Sequence, residues 1–301
     1  MDSRRTVVFG GTGFLGRRIV ARLLEDASEV RVAARQPHRR DFVHNGEAAG
    51  RVMLVSADIR DEASTALAVE NCYAAVNAVG LYVERGDATF QTVHVDGAER
   101  LAKSAGRAGV SRLVHISGIG ADLRSESDYV RARADGENRV RAAFPSATII
   151  RPSVMFGSRD SFFNTLDRIT RFKPIIPLFG SGATRLQPVF VDDVAEAVAR
   201  ALQDATTTGK TFELGGPRAY TYRSIIEFVL KQKGRRRLLL PLPFRVWYAL
   251  ARLSSVLPQP PVTRGQVALM ERDNMADPTG LTLKDLGIRP RSIEEIVPAY
   301  I

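Results

Sequence analysis

In the stretch SDYVRARADGE, residues 127 to 137, a tyrosine and an arginine stand four positions apart. On a helix that spacing puts Tyr129 and Arg133 on one face, a turn apart. A guanidinium does not lose its proton in proteins, so the phenol would sit beside a permanent positive charge. Such a neighbour favours the phenolate, the reactive form of a tyrosine.

A second group with chemical meaning lies near the start, in VVFGGTGFLGRR. Gly10, Gly11, Gly13 and Gly16, with Thr12, Phe14 and Leu15 between them, satisfy both GxGxxG and GxxGxxG. Glycine lets a backbone turn tightly and approach a pyrophosphate. The helix that follows presents free amides and the positive end of its dipole to that anion. Glycines also make ordinary turns, so context decides. Here they follow a valine-rich strand and open an amphipathic helix, which marks a dinucleotide site.

The second strand ends VAARQPHRR. An acid there would hold the ribose hydroxyls of NADH. Arg35, with Arg39 and Arg40 nearby, instead suits a 2′-phosphate, and NADPH is expected over NADH. At the tip of the third strand, Asp58 and Ile59 offer an acceptor for the adenine amino group. Ala78, Val79 and Gly80 close the fourth strand with residues that let the cofactor lie close, and Ile116 and Pro152 end the fifth and sixth. All stand at strand ends on the side where such folds bind ligands.

The elements that must carry these residues follow the spacing of parallel βαβ units. RTVVFG, EVRVAAR, RVMLVSAD, AAVNAVG, RLVHISG and ATIIRPS are expected as buried strands. FLGRRIVARLLEDA, GAERLAKSAGRAG and DGENRVRAAF are expected as helices, the first placing Leu15, Ile19, Leu23 and Leu24 on one face. The fold class is α/β, a doubly wound parallel sheet of Rossmann type, with a smaller C-terminal part of helix and loop. A dinucleotide-binding domain is expected over residues 1–155, with 189–215 returning to it. A discontinuous second domain would take 156–188 and 216–301. PIIPLFGSGATRLQP is expected as a Pro/Gly-rich loop, VFVDDVAEAVARAL as a strand end and helix, and KTFELGG as a further strand.

At 301 residues, 45% hydrophobic and 25% charged, the chain has the composition of a globular protein with a substantial core. One cysteine, Cys72, excludes an internal disulfide and points to a reducing compartment. His38, His44, His94 and His115 lack metal-site spacing with that thiol. MDSRRTVVFGG reaches its first strand by residue 6, leaving no room for a targeting peptide, and no apolar run approaches a bilayer span. A cytoplasmic location is expected, or the processed form of an imported protein.

HVDGAERL, HISGIGAD, IIRPSVMFG and VFVDDVAEAV resemble landmarks of the extended short-chain dehydrogenase/reductase superfamily. The resemblance implies that Tyr129 fills the place of a catalytic tyrosine, which exchanges a proton with the substrate hydroxyl or carbonyl. Arg133 stands where the superfamily has a lysine that binds the nicotinamide ribose and lowers the tyrosine pKa. Its planar, longer head differs from a compact ammonium. The superfamily's hydroxyl partner has no counterpart at Ile119, which leaves Ser117, Ser125 and Ser127.

A further resemblance spans almost the whole chain. SDYVRARADGENRVRAAFPSATIIRPSVMFG, RDSFFN, RLQPVFVDDVA, LPLPFRVWYALARL and VTRGQVALM are similar to the nucleotide-binding accessory subunit family of respiratory complex I. It implies NADPH retained as a structural group and no turnover. It also implies docking on peripheral-arm subunits of NADH:quinone oxidoreductase, peripheral on a bacterial inner membrane at its cytoplasmic face. Two alternatives stand beside it. One is an active NADP-dependent oxidoreductase or epimerase using Tyr129 with Arg133. The other is an NADP(H) redox sensor regulating a partner.

The net charge of +10 is unevenly placed. Residues 228–270 contain no acid and hold Lys231, Lys233, Arg235, Arg236, Arg237, Arg245, Arg252 and Arg264. Clustering of this kind suits an anionic partner. Val246, Leu250, Leu253 and Leu257 follow at helical spacing beside Trp247, so 231–257 fits an anionic membrane surface. The same segment fits a helix packed on its own core, and the superfamily resemblance implies a substrate lid there, so that a phosphorylated substrate is a third claimant on the arginines. No nucleic-acid recognition module is present.

Overall fold

The computed structural model describes residues 5–26, 28–37, 49–254 and 262–301. Arg39, Arg40, His38, His44 and Leu257 lie outside the described residues.

The first half alternates as its hydrophobic pattern dictates. β1 (Thr6–Phe9), β2 (Val30–Ala34), β3 (Val52–Ser56), β4 (Ala74–Asn77), β5 (Arg112–Ile116) and β6 (Thr148–Pro152) are separated by α1 (Phe14–Glu25), α2 (Glu62–Val69), α3 (Gly97–Arg107) and α4 (Asp128–Ala143). Later elements are β7 (Met155–Phe156), α5 (Phe162–Phe172), β8 (Ile175–Phe179), β9 (Arg185–Leu186), β10 (Val189–Phe190), α6 (Val191–Gln203) and β11 (Thr211–Leu214). The remainder comprises β12 (Tyr220–Thr221), α7 (Tyr222–Gln232), β13 (Leu238–Leu242), α8 (Phe244–Ser254), α9 (Arg264–Leu269) and α10 (Ile293–Ile296).

Seven strands form one parallel sheet in the order β11-β6-β5-β4-β1-β2-β3. The order reverses between β1 and β4, and a crevice opens beyond their carboxyl ends, as in other doubly wound sheets. One hydrophobic cluster packs α1 and α6 on one face, including Ile19, Val20, Val194 and Val198. A second places Leu101, Ala102, Ala105 and Val140 of α3 and α4 on the other. Both faces are covered, so the central strands are apolar throughout rather than alternating.

One expectation fails in the C-terminal region. Ile175–Phe179, expected as loop, is a strand, and it pairs in parallel with Leu238–Leu242. Pro177 and Pro241 argued against strands there, because proline has no N–H to give a ladder. A two-stranded ribbon has an outward edge on each strand, and a proline on such an edge removes no hydrogen bond. The basic window is also less available than its charge suggests. Arg235 pairs with Asp167 at 2.9 Å and reaches the Thr170 hydroxyl, while Arg237 donates to the Thr170 carbonyl at 2.8 Å. These two arginines anchor the ribbon to the end of α5.

Candidate functional site

The β1–α1 turn owes its shape to glycine at two positions. Gly10 has φ +75°, and a Cβ there would stand 2.7 Å from the Ala78 carbonyl oxygen. A Cβ on Gly16 would stand 2.2 Å from the carbonyl oxygen of Gly10. The turn and the first turn of α1 are therefore backbone against backbone. No side chain caps α1 at Gly13, so its first amides point past the end of β1.

Those amides face a cleft of about 500 Å³ along the carboxyl ends of β1, β2, β3 and β4. Gly10, Thr12, Gly13, Arg35, Asp58, Ile59, Ala78, Val79 and Gly80 all line it. Phe14, Leu15, Gly16, Ile116, Arg133 and Pro152 do not. Leu15 is buried in the core beneath α1, and Pro152 lends its carbonyl to the Ile119 amide. Glycine cradle, uncapped helix start and basic rim together fit the diphosphate and adenosine half of a dinucleotide.

Arg60 lines the cleft too and was missed in the sequence. Its guanidinium grips the Asp58 carboxylate, Nη2 to Oδ2 at 2.7 Å and Nε to Oδ1 at 3.0 Å, and reaches Asp87 at 2.8 Å. The Asp58 acceptor is thus already engaged, and the Arg60 hydrogen bonds hold its carboxyl below the usual carboxylate range.

Tyr129 and Arg133 share a face of α4, yet the cation does not sit at the phenol oxygen. The Arg133 guanidinium lies over the Tyr129 ring, 5.2 Å from its centroid, and Nη1 donates to the Ile116 carbonyl at 2.8 Å. Tyr82 stacks on the same tyrosine at 5.6 Å, and Phe90 and His94 meet it edge-on at 5.5 and 5.6 Å. A π-helical segment, Gln91–Asp96, carries His94 into place ahead of α3. It runs against α4 at Gly136, where a Cβ would lie 2.0 Å from the His94 carbonyl oxygen. Of the three candidate serines, Ser125 accepts from the Ser127 amide at 3.2 Å. Among the described residues the buried hydroxyls of Ser117 and Ser127 have no partner.

His94 and His115 flank this cluster. Burial first, and the Arg133 charge second, push their pKa values down to about 2 and about 3. Both are neutral when folded, with His94 Nε2 2.9 Å from the Leu81 carbonyl and His115 Nδ1 3.1 Å from the Asn77 amide. The unfolded chain binds protons at these sites near pH 6.5, so it holds more protons than the native state below that pH. Stability then falls with acidification from about pH 6.5 towards 3, by up to ~1.4 kcal/mol per pH unit for each histidine. Urea unfolding of the wild type and His115→Gln at pH 7 and pH 5 checks this. The variant should lose less stability between the two, whatever its absolute stability.

The architecture and the cleft define a class. The model of the NAD dependent epimerase/dehydratase family matches residues 6–215, and the chain belongs to that family. Solved structures agree in fold. The NADPH-dependent quinone oxidoreductase QOR2 of Escherichia coli, complexed with NADPH, superposes with a TM-score of 0.76 at 19% identity, covering 96% of this chain and 97% of that one. Thermus thermophilus UDP-glucose 4-epimerase, complexed with NAD, gives 0.71 at 21%, over 95% and 94%.

Within that class the chain belongs with a narrower set of proteins. The 40 kDa subunit of mitochondrial NADH-ubiquinone oxidoreductase from Neurospora crassa is 32% identical over 302 residues, covering 100% of this chain and 80% of that protein. Mitochondrial NADH dehydrogenase [ubiquinone] 1 alpha subcomplex subunit 9 from Mus musculus is 34% identical over 298 residues, covering 95% and 77%.

Proposed function

We propose that this chain is an NADPH-binding accessory subunit of NADH:quinone oxidoreductase that retains its cofactor without turning it over. The carrying observation is the extent of its likeness to the two mitochondrial subunits. It continues past residue 215, where the family match ends, through the C-terminal helices. Arg35 at the rim of the cleft supports the 2′-phosphate form of the cofactor. Idle chemistry is supported by Arg133, which sits on the face of the Tyr129 ring, and by the aromatic rings packed around that tyrosine. Titration of the purified protein with NADPH and NADH tests the cofactor. Arg35 predicts tighter NADPH binding, and equal affinities would remove that half of the reading.

A second reading, an active NADP-dependent oxidoreductase or epimerase, is favoured by the unpartnered buried hydroxyls of Ser117, just past β5, and Ser127, two residues before Tyr129. It requires turnover that Tyr129→Phe abolishes.

Peripheral docking at the cytoplasmic face of a bacterial inner membrane belongs to the proposal. Among the described residues no helix is long and apolar enough to cross a membrane. Phe172 at the end of α5, Leu238 and Leu240 on β13, and Leu250 and Leu253 on α8 are exposed, with Arg171, Lys173, Arg236 and Arg245 exposed near them in sequence. Apolar side chains with basic neighbours suit an anionic lipid surface, each basic residue adding about 1 kcal/mol. Co-sedimentation with vesicles containing phosphatidylglycerol should fall in Leu250→Asp/Leu253→Asp and in high salt. Binding independent of both would remove the membrane contact.

A further inference from the structure

Beside the cleft lies a buried positive charge without a counter-charge. Arg133 is 6% exposed, and its Nε has no partner. Its recorded contacts are a carbonyl and the face of a phenol ring, and among the described residues no carboxylate pairs with it. Its Nη2 comes within 3.7 Å of where a Cβ on Gly80 would stand, and Gly80 is part of the cleft wall. The adjoining imidazoles, His94 and His115, are neutral and supply no negative charge. Ser117 and Ser127 supply only hydroxyl dipoles.

An uncompensated cation away from water acts strongly on any other charge brought near it. The two redox forms of a nicotinamide cofactor differ at the ring by one charge. The oxidised ring is cationic and the reduced ring is neutral, while the phosphates are common to both. We propose that Arg133 makes this site selective for the reduced cofactor, because its buried guanidinium repels the cationic ring of NADP⁺ and tolerates the neutral ring of NADPH. The inference rests on reading the cleft as an NADP(H) site. A lysine at this position can shed its proton to relieve the repulsion, whereas the guanidinium cannot. Occupancy of the chain then follows the reduced fraction of the cofactor pool rather than its total.

The test is calorimetric titration of the full chain with NADPH, NADP⁺ and 2′-phospho-ADP-ribose, which lacks the ring. Wild type should bind NADPH tighter than NADP⁺ by on the order of a hundredfold, as expected for two charges roughly 6 Å apart at an effective dielectric of about 20. NADP⁺ should bind no tighter than the ring-less nucleotide. Arg133→Lys should weaken the preference, because the ammonium can shed its proton beside the cationic ring. Arg133→Met, its folding confirmed by thermal melting, should bring the two constants within about threefold. Equal wild-type affinities, or a preference unchanged in Arg133→Met, overturns the proposal. If the methionine variant does not fold, the wild-type comparison still decides, since NADP⁺ binding tighter than 2′-phospho-ADP-ribose contradicts repulsion. Failure of all three nucleotides to bind would instead remove the cofactor reading, and the proposal with it.

Discussion

Gly16→Ala is expected to weaken nucleotide binding about a hundredfold while leaving most of the chain folded. The added Cβ would lie 2.2 Å from the Gly10 carbonyl oxygen and 2.7 Å from the Gly11 Cα, both backbone atoms. Neither can rotate away, so α1 must shift relative to β1. The shift moves the first amides of α1 away from the place where a diphosphate would lie. Loss of one or two charge-assisted hydrogen bonds weakens binding about a hundredfold. Overpacking itself costs about 1–3 kcal/mol, a loss the core clusters on both faces of the sheet can absorb. Gly50→Ala is the control, since a Cβ there meets nothing within 4 Å. Thermal melts with and without NADPH separate the two effects. Wild type should gain stability from the ligand and Gly16→Ala much less.

Arg151→Met is expected to be the most destabilising single change outside the glycine turn. Arg151 of β6 holds Glu137 of α4 through two hydrogen bonds, at 2.9 and 2.7 Å, and Glu213 of β11 through one at 3.2 Å. Glu137 is 4% exposed, so methionine would leave a buried carboxylate with no partner. Breaking a buried pair in this way costs about 3–5 kcal/mol. Replacing both partners, in Arg151→Met/Glu137→Leu, should recover most of it, because no charge is then stranded. Urea denaturation measures both. A single-variant loss under about 1 kcal/mol would show the network to be dispensable.

Most of the sheet and the glycine turn were legible in the sequence because their signals are local. Runs such as TVVF and VRVAA are buried on both faces, and the glycines fall between a strand and an amphipathic helix. What escaped depends on contacts between distant segments. The prolines of PIIPLF and LLLPLP hide a strand pair whose outer edges accept them. Arg235 and Arg237 count as free charge until α5 is placed beside them. The enclosure of Tyr129 needs Tyr82, Phe90 and His94, some 35 to 47 positions away along the chain, and a π-helical segment that no local pattern announces. Arg60 was legible in principle. It stands two residues after Asp58, close enough to claim the carboxylate assigned to adenine.

The central claim is that this chain is a cofactor-holding subunit of a larger respiratory assembly. A tagged pull-down from gently solubilised membranes of the native host, with co-purifying proteins identified and bound nucleotide extracted, tests it most directly. The account predicts subunits of NADH:quinone oxidoreductase in stoichiometric yield, with NADPH released from the complex on denaturation. A chain recovered alone and free of nicotinamide nucleotide would contradict it.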